Sequence, residues 1–162
     1  MVWCFVRYFL PTPSGRKRFN VLGAVDALTK ELITVVNETT VTAETVCALL
    51  SKLAAYVSEG AITVVLDNAR YQKCALVQAH AAALEIELLY LPAYSPHLNL
   101  IERLWRFVRK ECLYSRYYAT FAEFRAALEN CLDTAHQERR LELETLLAWQ
   151  FQSFRDVQLL PA

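Results

Sequence analysis

The chain has 162 residues, with 17 Lys+Arg balanced by 17 Asp+Glu. That length fits one domain, or one domain with a tail, and can bury a sizeable core. Hydrophobic residues at 55% against 21% charged exclude a mainly disordered chain, and 3 glycines with 5 prolines exclude collagen-like or linker-like compositions. The zero net charge gives nucleic-acid binding no global electrostatic support, so any such binding has to come from local patches.

No apolar run approaches the ~18 residues of a membrane span, so no membrane partner is expected. The start, Met1-Val2-Trp3-Cys4-Phe5, lacks a basic n-region and is interrupted by Arg7, so it is not read as a secretory signal. Five cysteines, at 4, 47, 74, 112 and 131, are scattered without a CxxC pair. They read as reduced thiols of a cytoplasmic protein rather than as a zinc site or disulfide framework. His80, His97 and His136 show no metal-ligand spacing either.

In chain order, residues 2–9 are aromatic and β-branched and predict a strand. Pro11-Thr12-Pro13-Ser14-Gly15-Arg16-Lys17 predicts a loop, with Arg16, Lys17 and Arg18 forming a basic hairpin tip. Residues 18–25 and 31–36 predict two more strands, completing a three-stranded meander, with Asp26 in the connecting turn. Thr42 can cap a helix whose apolar residues fall at Val46, Leu49, Leu50, Leu53 and Val57, one face at helical spacing, and Glu59-Gly60 ends it.

Residues 61–66 form a short, nearly continuous apolar run, the pattern of a parallel strand buried on both faces. A helix with Cys74, Val77, Ala81 and Leu84 inward follows, then a second buried strand over 86–91. Pro92 and Pro96 force an extended loop. A helix then runs from about Asn99 to Cys112. Thr120-Phe121-Ala122-Glu123 is a capping box opening another, with Phe124, Leu128 and Cys131 inward. A last helix is expected over about 137–154, followed by a frayed tail. The order β-β-β-α-β-α-β-α-α-α implies a mixed sheet with helices packed on it.

Two acids sit where chemistry gathers in such folds. Asp67 lies at the C-terminal end of a buried strand, where ligands of open α/β sheets collect. Taken alone, Asp67 or Asn68 is better explained as a helix cap. Glu102 falls in Asn99-Leu100-Ile101-Glu102, a capping-box pattern, and taken alone it reads as a structural cap.

The constellation changes that weighing. Asp67-Asn68-Ala69-Arg70-Tyr71 closes one strand. Leu91-Pro92-Ala93-Tyr94-Ser95-Pro96-His97-Leu98-Asn99-Leu100-Ile101-Glu102-Arg103-Leu104-Trp105 leads from the next strand into a helix. Between Asp67 and Glu102 lie 34 residues. This resembles the catalytic domain of DDE transposases of the mariner superfamily, in its bacterial insertion-sequence branch, which typically shows this spacing between its last two acids. The resemblance covers at least residues 18–113.

It implies an α/β, RNase H-like mixed sheet flanked by helices, whose carboxylates bind two Mg²⁺ (or Mn²⁺) ions. Such a pair, about 3.5–4 Å apart, activates the attacking oxygen and stabilises the leaving one in phosphoryl transfer. Hard oxygen ligands suit Mg²⁺, which accounts for carboxylates rather than Cys or His. Asp67 and Glu102 are then the expected catalytic and metal-binding residues. Arg70, Lys73, Arg103, Arg106 and Lys110 are the expected DNA phosphate contacts, although a solvated helix face accounts for such charges as well. DNA is the implied partner and a homodimer the implied working assembly, in a cytoplasmic, nucleoid-associated setting. Residues 1–135 would form a partial catalytic domain and 136–162 a C-terminal helix and tail packed on it.

The sequence departs from the family in three respects. The family places a first acid in the first, central strand, yet no Asp or Glu precedes Asp26 here, and Asp26 belongs to a turn. The pattern of the family's N-terminal helix-turn-helix is not read in these residues, which leads to the expectation of a truncated chain. Gln72 stands where relatives often carry His, and it can hydrogen-bond but not carry a proton. The expectation is a transposase fragment with weak or no cutting activity. The alternative is a non-catalytic remnant that binds DNA or a transposase.

Overall fold

The computed structural model describes residues 18–67, 69–92, 95, 98–114 and 116–150. The strand expected over 2–9 and the loop after it lie outside these residues, as does the end of the last expected helix. Strand β1 (Asn20–Val25) pairs antiparallel with β2 (Leu32–Asn37), Asn20 opposite Asn37 and Val25 opposite Leu32. Asp26 builds the turn between them, its Oδ1 accepting from the Leu28 and Thr29 N–H groups at 2.7 and 3.0 Å. Helix α1 (Ala43–Tyr56) begins at the N-cap Thr42 and leads to β3 (Ile62–Leu66). A 3-10 turn (Arg70–Gln72) and α2 (Ala75–Ala83) lead to β4 (Ile86–Tyr90), which pairs parallel with β3. Three helices complete the described chain: α3 (Leu100–Cys112), α4 (Phe121–Glu138) and α5 (Arg140–Leu146).

The result is a mixed α/β architecture with two small sheets, β1-β2 and β3-β4, rather than one continuous sheet among the described residues. The period-2 alternation of β1 and β2 decides which helices they meet. Leu22, Ala24, Ile33 and Val35 pack toward Val46, Leu49, Leu50 and Leu53 of α1. Val21, Val25 and Leu32 pack on the other side, against a core that includes Leu104, Phe107 and Val108 of α3 and Leu128 and Leu132 of α4. The first hairpin is thus sandwiched between helices.

The second sheet is covered on one face. Ile62, Val64, Ile86 and Leu88 join the α1–α2 core, with Val77 and Ala81 supplied by α2. Thr63, Val65, Glu87 and Leu89 point the other way and are exposed, Val65 at 46% and Leu89 at 51%. The expectation that both strands are buried on both faces is therefore corrected. The apolar runs reflect the parallel pairing, but the helices that could cover the second face, α3 and α4, pack against the first hairpin instead.

The expected last helix also differs. α4 continues through position 137 to Glu138, and a break at Arg139 separates it from the short α5. Thr120 caps α4 as expected, its Oγ1 accepting from the Glu123 N–H at 3.2 Å. The Glu123 carboxylate reaches back to the Ala119 N–H at 3.0 Å, one residue before the cap.

Gly23 lies on the β1 face that meets α3. A Cβ there would stand 3.1 and 3.2 Å from the Trp105 ring and 3.3 Å from Leu32 Cδ1. The missing side chain lets the indole lie against the strand. Gly23→Val is expected to destabilise the protein by about 1–3 kcal/mol through overpacking, read from the urea unfolding midpoint. An unchanged midpoint would show that Trp105 does not press on this strand.

Candidate active site

Asp67 follows directly on β3, at its C-terminal end, and is half-buried. The Leu91 N–H donates to the Leu66 carbonyl at 2.9 Å, so the strands stay together to the end of β3 and just past β4, and the two exits share one edge. At that edge Asn99 is buried, with 7% of its surface exposed. Its Oδ1 accepts from the Ile101 N–H at 3.2 Å, the N-cap bond of α3. Its Nδ2 donates to Asp67 Oδ1 at 2.7 Å. One side chain therefore joins the end of β3 to the start of α3, across 32 positions of sequence.

Glu102 lies in the first turn of α3 and is half-buried. The capping box read from the sequence is only half formed. Asn99 caps the Ile101 N–H, while no hydrogen bond or ion pair engages the Glu102 carboxylate among the described residues. Its oxygens are therefore open to a partner from outside the described residues.

Around Asp67 the turn is built by local bonds. Gln72 is buried and accepts from the Ala69 N–H at 3.4 Å. The Tyr90 hydroxyl donates to the Gln72 carbonyl at 3.0 Å. Burial, then the nearby Asp67 charge, push the Tyr71 phenol above its usual pKa and keep it protonated.

The five basic residues occupy different surroundings. Arg70 is exposed in the 3-10 turn just past Asp67. Lys73 is exposed, its ammonium 5.0 Å from the centre of the Tyr90 ring. Arg106 is exposed on α3. Arg103 instead donates to the carbonyls of Leu146 at 3.4 Å, Ala148 at 2.9 Å and Gln150 at 3.1 Å. It caps the C-terminal end of α5, where free carbonyls collect. Lys110 lies 3.5 Å from Glu142, also on α5. The shared face of positions 103 and 110 is thus turned to α5, a contact that charge spacing on α3 could not reveal.

An open cavity of about 280 Å³ lies between α3 and α4, lined by Cys112, Cys131, Glu111 and Arg139 among others, and neither Asp67 nor Glu102 lines it. The Cys131 thiol is pushed up to about 12, first by burial, then by the neighbouring Cys112 thiol.

The sequence pattern of the DDE superfamily endonuclease family matches residues 7–125. The chain belongs to that family. The match spans β1 through the start of α4 and so includes Asp67, Asn99 and Glu102. A chain in the cryo-electron microscopy structure of the simian T-cell lymphotropic virus intasome, bound to the PP2A regulatory subunit B56 gamma, superposes with a TM-score of 0.50 at 13% identity. The superposition covers 69% of this DDE endonuclease-family chain and 46% of the intasome chain, and it speaks to fold alone. The chain thus spans less than half the length of that structural relative. No curated protein matches. Among the described residues, no helix is long and apolar enough to cross a membrane.

Two outcomes follow from these surroundings. Arg103→Met should cost about 1–3 kcal/mol in urea unfolding, because it removes charge-assisted bonds to the end of α5. Lys110→Ala, which breaks an exposed pair, should cost under about 1 kcal/mol. Equal costs would contradict the α5-capping role. For Cys131, a folded-state pKa raised above the ordinary 9.0 stabilises the neutral thiol, so its contribution is intact below pH 9 and fades toward pH 12. Cys131→Ala should flatten the decline of the urea midpoint above pH 9; an unaltered slope would contradict it.

Proposed function

We propose that this chain carries the later part of a transposase catalytic domain of RNase H-like fold, of the mariner superfamily's bacterial insertion-sequence branch. It would act on DNA by metal-dependent cutting and joining of strands, in an assembly of two copies. The observation that carries the reading is the Asn99 bridge, which brings the end of β3, with Asp67, to the first turn of α3, with Glu102.

Asp67 and Glu102 offer hard oxygen donors, the ligand type Mg²⁺ takes. They fit such an ion in kind but are few in number. Among the described residues, no three His, Cys, Asp or Glu side chains gather closely enough to hold a metal ion. When bound, the metal would supply a polarised phosphoryl oxygen and an activated attacking oxygen. The chain's own residues would do the rest. Asp67 and Glu102 would hold the ion from a strand end and a helix start. Arg70 and Lys73, exposed beside Asp67, would contact the DNA phosphates, with Arg106 farther along α3. Arg103 and Lys110, engaged with α5, would contribute less. Cutting by this chain alone would be weak, because two carboxylates hold a metal pair poorly.

The same shortage favours a second reading, a non-catalytic protein that binds DNA or a transposase. Mn²⁺ titration followed by electron paramagnetic resonance, run beside plasmid nicking, separates the two. Binding that falls at least tenfold in Asp67→Asn and in Glu102→Gln, with any nicking lost in both, is the expected result. Mn²⁺ binding untouched by either substitution would overturn the metal site. DNA binding without nicking or such a metal site would favour the second reading.

A further inference from the structure

We infer that Asn99 is a positioning residue for Asp67, an inference that deepens the metal-site reading above and rests on it. The N-cap position needs only one side-chain acceptor, and Ser, Thr or Asp would supply it about as well as Asn. The second bond narrows the choice. Asn99 Nδ2 donates to Asp67 Oδ1 at 2.7 Å, short for an N–H donor and of the charge-assisted kind. An Asp at this position would cap the helix but set a second negative charge against Asp67. A Ser or Thr would cap it but has no arm long enough to donate across the gap. Asn satisfies the helix with its oxygen and the carboxylate with its nitrogen.

Burial makes the arrangement costly to lose. Asn99 is 7% exposed, and every buried side-chain nitrogen and oxygen among the described residues has a hydrogen-bond partner. Without Asp67, the Nδ2 group would lose this acceptor in a place that water reaches poorly. Without Asn99, the carboxylate of Asp67 would turn about a torsion that is broad and soft. The hydrogen bond engages Oδ1, restrains the carboxylate torsion, and leaves Oδ2 for another partner. It also ties that carboxylate to the helix whose first turn carries Glu102, only three positions beyond Asn99. Donor atoms held in place before a cation arrives bind it more tightly, since less order has to be imposed on binding.

The test uses Asn99→Ser, which keeps the cap acceptor and removes the donor, beside Thr120→Ala, which removes the cap of α4 elsewhere. Mn²⁺ affinity should fall about tenfold in Asn99→Ser and stay unchanged in Thr120→Ala, whatever each does to the unfolding midpoint. Independently of any metal, the Asn99 side-chain amide protons should be protected from solvent exchange in the wild type and lose that protection in Asp67→Ala, by nuclear magnetic resonance. Wild-type affinity in Asn99→Ser, or amide protection that survives Asp67→Ala, would overturn the inference. A wild-type chain whose Mn²⁺ binding ignores Asp67→Asn would instead sink the metal-site reading, and with it the metal part of this inference. The amide exchange would still decide whether Asn99 clamps Asp67.

Discussion

The buried stripe of α1 is the constraint on which this architecture depends. Val46, Leu49, Leu50 and Leu53 pack on β1-β2 through Leu22, Ala24, Ile33 and Val35 and on α2, and share one core with Val77 and Ala81 of α2 and with Ile62, Val64, Ile86 and Leu88 of β3-β4. The two sheets share no strand pairing among the described residues. Their relative placement therefore comes from the core that α1 shares with α2, packed at interior density, where a lost methylene is felt by every neighbour. The end of β3, and so Asp67, inherits its position from that packing.

A second core, on the far face of the first hairpin, positions Glu102. Leu104, Phe107 and Val108 set α3 against α4, and Trp105 lies over the side-chain-free Gly23 of β1. Arg103 and Lys110 extend the same helix toward α5, one through carbonyl oxygens and the other through Glu142. The catalytic candidates thus sit where two cores meet. Asp67 is referred to the α1 core, Glu102 to the α3–α4 core, and Asn99 is the polar side chain that reconciles them.

Much of this was legible in the sequence, for reasons that can be named. Thr42, Thr120 and Asn99 are caps whose chemistry is local, and all three open helices as read. The helical spacing of Val46, Leu49, Leu50 and Leu53 and the strand-helix-strand alternation of 62–90 are likewise short-range signals, and they held. What the sequence leaves open is non-local. The apolar runs at 62–66 and 86–90 could not say how many faces would be covered, because that depends on where α3 and α4 settle. Arg103 and Lys110 share a face with Arg106 by helical arithmetic, but only the docking of α5 decides which of them faces protein. The bond from Asn99 to Asp67 spans 32 positions and leaves no periodic trace. Its one sequence signal is the choice of Asn, with a spare donor, where a simpler cap would have sufficed.

That choice bears on the proposed carboxylate site, which has few residues of its own. The buried Asn99 directs one Asp67 oxygen toward itself and ends the competition for it, while no side chain among the described residues engages the Glu102 carboxylate. Both features leave carboxylate oxygens available without adding a ligand. They raise the quality of a two-acid site, but they do not replace a third carboxylate. A pair of divalent cations brings four positive charges, and two acids supply two negative ones. The remaining charge has to be met by a further acid or by the phosphates of the bound DNA. In the second case metal and nucleic acid would bind this chain together far better than either alone, so metal affinity would depend on the nucleic acid present.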